Sequence, residues 1–289
     1  MTERLSIGIV GCGDLGTALG EQLVDAGHSV VGIRRRSDKL PESFTRISAD
    51  IASHEGWKNV PKQIDRWVYA LAADDRSAEA YERAYELGTQ RLVDHLGGER
   101  AGRVIFVSST SVYEFEDGRE VTEDTDISPT GMSGATMRRG EKLIASLQGT
   151  SLRLGGIYGA GRHWLVRAVQ EGRAALKPGE PRYTNRIHRD DAVGLLHAMT
   201  VAEVERLPPI VLGVDDLSAP WNDVVTYLAN ALGRELSEDG VGRAPSGARR
   251  ATNKRCRSLH RATLGYTLRY PTYREGYSAV LRAMGLVND

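Results

Sequence analysis

Cysteine is nearly missing from this chain. Its 289 residues hold two, Cys12 and Cys256, too few for a disulfide framework or for a metal site of clustered ligands. Net charge is missing too: 38 basic and 38 acidic residues cancel, so no global field favours nucleic acid or an anionic membrane. The arginine runs Arg34–Arg36 and Arg249–Arg257 carry no nucleic-acid reading motif. No apolar run has the length of a membrane span, and the first strand begins so close to Met1 that no signal peptide is expected. No internal repeat or low-complexity tract is visible. What remains is a composition ordinary for a soluble globular protein, 40% hydrophobic and 26% charged. The expectation is a cytoplasmic protein, monomer or homodimer, whose partner is a small-molecule substrate. Its length suits one large domain or a domain with a smaller lobe.

The informative stretch is LSIGIVGCGDLGTALGEQLVDAGHSVVGIRRRS, which reads as strand, glycine turn, helix and second strand. Gly11, Gly13 and Gly16 form G-x-G-x-x-G directly after the apolar run Ile7–Val10. The first glycine makes the tight turn, the second lets backbone approach a pyrophosphate, and the third lets the helix pack closely on the sheet. The helix then begins at Asp14 and Leu15, its positive end toward the phosphates. The motif implies a dinucleotide site, and its strand–turn–helix setting is what gives it weight. An NAD-binding unit usually places Asp or Glu about 20 residues further on, to accept from the ribose 2′-hydroxyl. Here the second strand ends in Arg34, Arg35, Arg36 and Ser37, with no carboxylate until Asp38. Guanidinium groups at that tip suit a 2′-phosphate, so NADP is the expected cofactor; the competing reading is a solvated basic loop.

Strand and helix patterns alternate through the first half, which predicts a doubly wound α/β fold with a parallel sheet. FTRISADI reads as a third strand ending at Asp50 and Ile51, and IDRWVYALAA as a fourth ending in Ala70, Leu71, Ala72 and Ala73. Small residues there suit close approach of a flat ring. Residues 76–96 carry Ala80, Ala84, Leu87, Leu92 and Leu96 as a core-facing helical stripe. RVIFVSS is a fifth strand, apolar enough to be central. Expected boundaries are 1–158 for the dinucleotide-binding domain, with 187–215 returning to it, and 159–186 with 216–289 for a smaller substrate lobe.

SSTSVY, then LRLGGIYGAGR at 152–162, then NRIHRDDAVGLLHAM at 185–199 resemble, in that order, the extended short-chain dehydrogenases/reductases, which include the nucleotide-sugar epimerases and dehydratases. NKR at 253–255 and LGYTLRYPTYREGY at 264–277 resemble a divergent, atypical branch. The resemblance implies a Rossmann domain with Ser108, Leu154, Gly155 and Gly156 also against the cofactor. It implies proton transfer by Ser, Tyr and Lys, the last two as Y-x-x-x-K, with Ser109 at the serine position. The pair is absent: matching Glu141 to the glutamate that commonly follows the family's lysine by four residues puts Met137 at the Lys position and Ser133 at the Tyr position. Methionine cannot supply a lysine's charge.

Tyr113 is the substitute proton donor expected from the sequence, with Ser109 as its companion; Tyr158, Arg138, Arg139 and Lys142 are further candidates. Tyr113 and Tyr158 read alternatively as amphipathic residues capping the core, and the arginines as a solvated helix face. Asp190 reads as a helix cap and His188 as a packed residue. The polar, basic stretch 237–258 reads as a flap, and Asn253, Lys254 and Arg255 within it as either an anion site or a basic surface loop. The leading expectation is an NADP-dependent oxidoreductase or epimerase/dehydratase-like enzyme. The alternative is a non-catalytic NADP-binding regulatory or scaffold protein.

Overall fold

The computed structural model describes residues 4–97, 104–236 and 252–288. Its centre is a seven-stranded, all-parallel sheet: β1 (Ser6–Val10), β2 (Ser29–Arg34), β3 (Thr45–Ser48), β4 (Arg66–Tyr69), β5 (Val104–Ser109), β6 (Thr150–Leu154) and β7 (Ile210–Gly213). They lie in the order β7-β6-β5-β4-β1-β2-β3. β1 pairs with β2 on one side and β4 on the other, with Val10 beside Ile33 and Tyr69. The chain order reverses at this point, and open α/β sheets bind ligands outside the strand ends there.

Alternation along the strands fills both faces. Trp67, Tyr69 and Phe106 pack on one side with Ile144 of α4 (Met132–Ser146); Ile7, Ile9, Val68 and Leu152 pack on the other with α1 (Asp14–Asp25) and α6 (Arg189–Val201). A third apolar cluster stands apart. It joins Tyr158, Val166 of α5 (Trp164–Gln170), Leu228 of α7 (Trp221–Leu232) and Tyr277 and Leu281 of α8 (Tyr273–Ala283). Of the stretch 237–258, residues 237–251 lie outside the described residues. Beyond them, Arg255–Cys256 pairs in parallel with Glu120–Val121.

Two local expectations change. The helix after β4 is not uniform: α2 (Ala78–Glu82) runs into a π turn, Arg83–Leu87, and then α3 (Gly88–Leu96). The extra residue of a π turn rotates one half of the helix against the other. Ala84, Leu92 and Leu96 are buried, but Leu87 is turned out to solvent. At the start of α6 the cap is His188, whose Nδ1 accepts the Asp190 N–H at 3.3 Å, rather than Asp190. The buried Asp191 is structural, accepting from the Tyr266 hydroxyl and from the N–H groups of Arg269 and Tyr270.

Candidate dinucleotide cleft

A cleft of about 510 Å³ opens along the carboxyl ends of the strands. Every strand from β1 to β6 places residues at or just beyond its end in it, because a parallel sheet delivers strand ends to one edge. The glycine turn after β1 forms one wall. Gly11 has φ of +85°, and a Cβ there would sit 2.5 Å from the backbone nitrogen of Leu71, so only glycine fits. A Cβ on Gly16 would lie 2.8 Å from the Gly11 carbonyl oxygen, which is how closely helix and turn approach. Gly13 differs: the nearest atom to its Cβ position is 4.0 Å away. The room there faces the cleft, at the amino end of α1. This cradle fits a pyrophosphate.

Asp14 stands at the same helix end. Its carboxylate accepts from Arg162 Nε at 2.7 Å and Arg189 Nε at 2.6 Å. Burial alone would raise its pKa, but the two arginines together outweigh that and lower it. This ion triplet ties the glycine turn to the chain after residue 158, and Arg162 itself lines the cleft.

At the β2 end, Arg34, Arg35 and Arg36 line the cleft, with Asp50 and Ile51 from beyond β3 and Asp74 from beyond β4. Arg35 pairs with Asp74 at 2.5 Å, and Asp50 pairs with Arg83. Among the described residues no carboxylate pairs with Arg34 or Arg36. Ser37 is in a short 3-10 turn and is absent from the cleft lining. Ala70, Leu71 and Ala72 form the floor beyond β4.

The other end of the cleft holds Ser108, Ser109 and Ser111 from β5 and the turn after it, Ser133 and Met137 from α4, and Leu154, Gly155 and Gly156 from beyond β6. Ser133 and Met137, one turn apart on α4, therefore occupy the cleft wall at the positions matched to Tyr and Lys. Ser109 Oγ accepts the Ser111 N–H at 3.1 Å, and Ser108 Oγ donates to Glu141 Oε1 at 2.7 Å. Beneath Ser108, Arg153 and Glu141 are both buried and meet through two hydrogen bonds of 2.8 and 2.7 Å. Such a fully paired charge network makes a rigid floor.

Tyr113 belongs to this floor and not to the cleft, which corrects its reading as the substitute proton donor. Its side chain is fully buried; its hydroxyl donates to the Thr122 carbonyl at 2.9 Å and accepts from Arg153 Nη1 at 2.7 Å. Burial pushes the phenol up to about 12 against the lowering charge of Arg153. With both hydrogen-bonding roles taken, it has nothing to offer a substrate. Tyr158 is buried against Tyr277 and His188. Arg138 is held by Glu141 and Arg139 by Glu86, while Lys142 is exposed. Asn253 and Lys254 are buried, and Asn253 clips neighbouring strands, accepting from Tyr183 N–H at 2.8 Å and donating to the Pro181 carbonyl at 3.1 Å.

Tyr81 and Tyr85, on the helix after β4, also line the cleft and were not singled out by the sequence. No apolar spacing announces them, because the π turn Arg83–Leu87 takes Leu87 out of the buried stripe and turns Ala84 and Tyr85 in. Among the described residues no three His, Cys, Asp or Glu side chains gather to hold a metal, and no described helix is long and apolar enough to cross a membrane.

The NAD dependent epimerase/dehydratase family model matches residues 7–205. Protein YeeZ of Escherichia coli K12 is 30% identical over 201 residues, covering 66% of this chain and 71% of its own. A Methylobacillus flagellatus structure, described as of NAD-dependent epimerase/dehydratase type, is 30% identical with a TM-score of 0.78, covering 98% of this chain and 100% of the other. MoeE5, solved with UDP-glucuronic acid and NAD, shares the fold at 23% identity and a TM-score of 0.74, covering 97% and 99% of the two chains.

Proposed function

The chain belongs to the NAD dependent epimerase/dehydratase family, and from that premise we propose that it is an NADP-dependent oxidoreductase or epimerase/dehydratase-like enzyme acting on a small carbonyl, hydroxyl or sugar-nucleotide-type substrate. The observation that carries the dinucleotide is the cradle at Gly13: open space at the amino end of a helix, at the reversal point of the sheet. Gly11 to Leu15 would hold the pyrophosphate with backbone N–H groups and the helix dipole. Arg34 and Arg36 would hold a 2′-phosphate, being cationic and without a carboxylate partner among the described residues; Arg35, already paired with Asp74, adds charge at the same rim. Leu154 to Gly156 and Ser108 to Ser111 would flank the nicotinamide end. When bound, the dinucleotide supplies or takes up a hydride. The protein's part is to hold the substrate oxygen near Ser109 and exclude water.

One observation favours the second reading, a non-catalytic dinucleotide-binding protein: Ser133 and Met137 stand where the family pattern has Tyr and Lys. Calorimetric titration tests the cofactor part. NADP(H) should bind more tightly than NAD(H), and combined Arg34→Ala and Arg36→Ala should erase most of the difference. Each lost charge-assisted contact is worth about 1.5–3 kcal/mol. Equal affinities in the unaltered protein would remove the NADP assignment.

A further inference from the structure

We propose that Tyr85 is the catalytic residue that exchanges a proton with the substrate oxygen. The inference rests on the dinucleotide reading above. Among the described residues Tyr81 and Tyr85 are the tyrosines lining the cleft, and the two differ in setting. Tyr81 is partly exposed, while Tyr85 is 8% exposed and sits in the π turn. That turn presses on α4, since a Cβ at Gly140 would collide with the Tyr85 carbonyl oxygen. Gly140 is less than one turn beyond Met137, so Tyr85 springs from beside the vacated lysine position. Its side chain then crosses to the β4 end, where its hydroxyl accepts the N–H of Ala73 at 3.3 Å. The Tyr81 ring, with centroids 5.3 Å apart, braces it.

This geometry has a chemical consequence. The Ala73 N–H occupies one lone pair of the phenol oxygen and stabilises negative charge on it, while the O–H proton is left for a bound oxygen. Burial raises the Tyr85 phenol above its ordinary range, the Ala73 N–H offsets part of this, and Tyr81 adds to the rise. Tyr85 is therefore protonated at neutral pH, as a donor must be. In the reducing direction the electron pair for the new C–H bond comes from the reduced nicotinamide dinucleotide. The carbonyl π bond opens, the Tyr85 O–H bond breaks, and its proton forms the O–H of the product alcohol. The phenolate regains a proton from water at the cleft mouth; oxidation runs the same steps backwards. Ser109 would orient the oxygen from the β5 side.

The test uses the oxidised dinucleotides as probes and needs no identified substrate. The ring of oxidised nicotinamide is cationic, and an opposite charge within reach lowers a phenol's pKa by about one to three units. The charged groups packed close to Tyr85 are paired, Arg83 with Asp50, Glu86 with Arg139, Asp74 with Arg35, and Glu141 with Arg153 and Arg138; Arg76, Glu79, Glu82 and Lys142 on the same segments are exposed to solvent, where their charge is screened and unchanged by the dinucleotide. Phenolate absorbance against pH should therefore show one tyrosine ionising earlier in the NADP⁺ or NAD⁺ complex than in the free protein. The shift should vanish in Tyr85→Phe and persist in Tyr81→Phe, with dinucleotide affinity in Tyr85→Phe within about tenfold of the parent. A shift that survives in Tyr85→Phe overturns the assignment, as does bound dinucleotide with no shift. If neither dinucleotide binds, the dinucleotide reading falls and this inference with it, so the binding titration separates the two failures. A structure of the unaltered protein with dinucleotide is a second test, one that does not depend on a variant folding. Tyr85 beside the nicotinamide ring supports the inference, and Tyr85 beside adenine overturns it.

Discussion

Gly11 and Gly13 are two residues apart in one turn, yet substitution should do opposite things to them. At Gly11 the backbone has φ of +85° and a new Cβ would meet the Leu71 backbone at 2.5 Å. The strained conformation costs about 1–3 kcal/mol, and forcing backbone apart adds about 1–3 kcal/mol. Gly11→Ala should therefore lose about 2–6 kcal/mol, a fall in Tm of roughly 4–24 °C at about 2–4 °C per kcal/mol. At Gly13 φ is −86°, and beyond its chain neighbours the nearest atom to the Cβ position, the Gly11 carbonyl oxygen, is 4.0 Å away. Its ψ of −145° lies past the edge of the extended basin, so Gly13→Val carries a backbone cost of about 1–3 kcal/mol but no collision. The added side chain points into the space assigned to the pyrophosphate. Dinucleotide affinity should drop at least about 100-fold, or about 2.8 kcal/mol. Thermal unfolding and calorimetric titration of both variants give the comparison. A Gly13→Val protein that binds NADP as tightly as the parent would show that the turn does not cradle phosphate. A Gly11→Ala protein as stable as the parent would show that the turn is not held as described.

Ser109→Ala and Tyr113→Phe form a contrasting pair. The first should lower turnover of a carbonyl substrate by about tens to thousands of fold with NADP affinity kept; the second should cost about 1–3 kcal/mol of stability, by leaving Arg153 Nη1 without its acceptor, and leave turnover alone. A large turnover loss in Tyr113→Phe alone would reverse the assignment. Asp215 gives a pH test: it is buried beside Arg186, and burial pushes it up to about 8 despite that opposing charge. The folded chain then keeps a proton that the unfolded chain releases above about pH 4, so stability falls as pH rises from about 4 to 8. Asp215→Asn should raise Tm most at pH 8 and not at all below pH 4, and Tm profiles that run parallel across that range would refute it.

The legible parts of the molecule are those whose cause is local. The glycine turn, its strand and its helix occupy adjacent residues, so their spacing alone announces the cleft's first wall. The apolar run from Val104 to Ser109 is buried on both faces and pairs on both sides, as its composition implies. Two-residue strands such as Arg255–Cys256 exist only because a distant partner, Glu120–Val121, lies alongside, and no local pattern marks them. The same holds for Asp14, whose partners Arg162 and Arg189 are 148 and 175 residues away.

The proton path follows this division between position and chemistry. A helix face is set by its period, so counting back from Glu141 is enough to identify Ser133 and Met137, and both line the cleft. Replacement chemistry can arrive from any element that reaches the same space, and nothing near 133–141 says which. Tyr113 follows Ser109 closely in sequence, but the 3-10 turn Thr110–Val112 carries the chain inward and seats its ring on Arg153. Tyr85 is more than twenty residues earlier and reaches the cleft through a π turn that carries a local cost in helix geometry. What the wide turn adds is room for Ala84 and Tyr85 to face inward side by side, one packing under the Tyr69 hydroxyl through its carbonyl and the other reaching Ala73. Tyr85 is thus set in place by the β4 end and α4, through the Ala73 N–H and the close approach of its carbonyl to Gly140, and not by any pattern near Ser109.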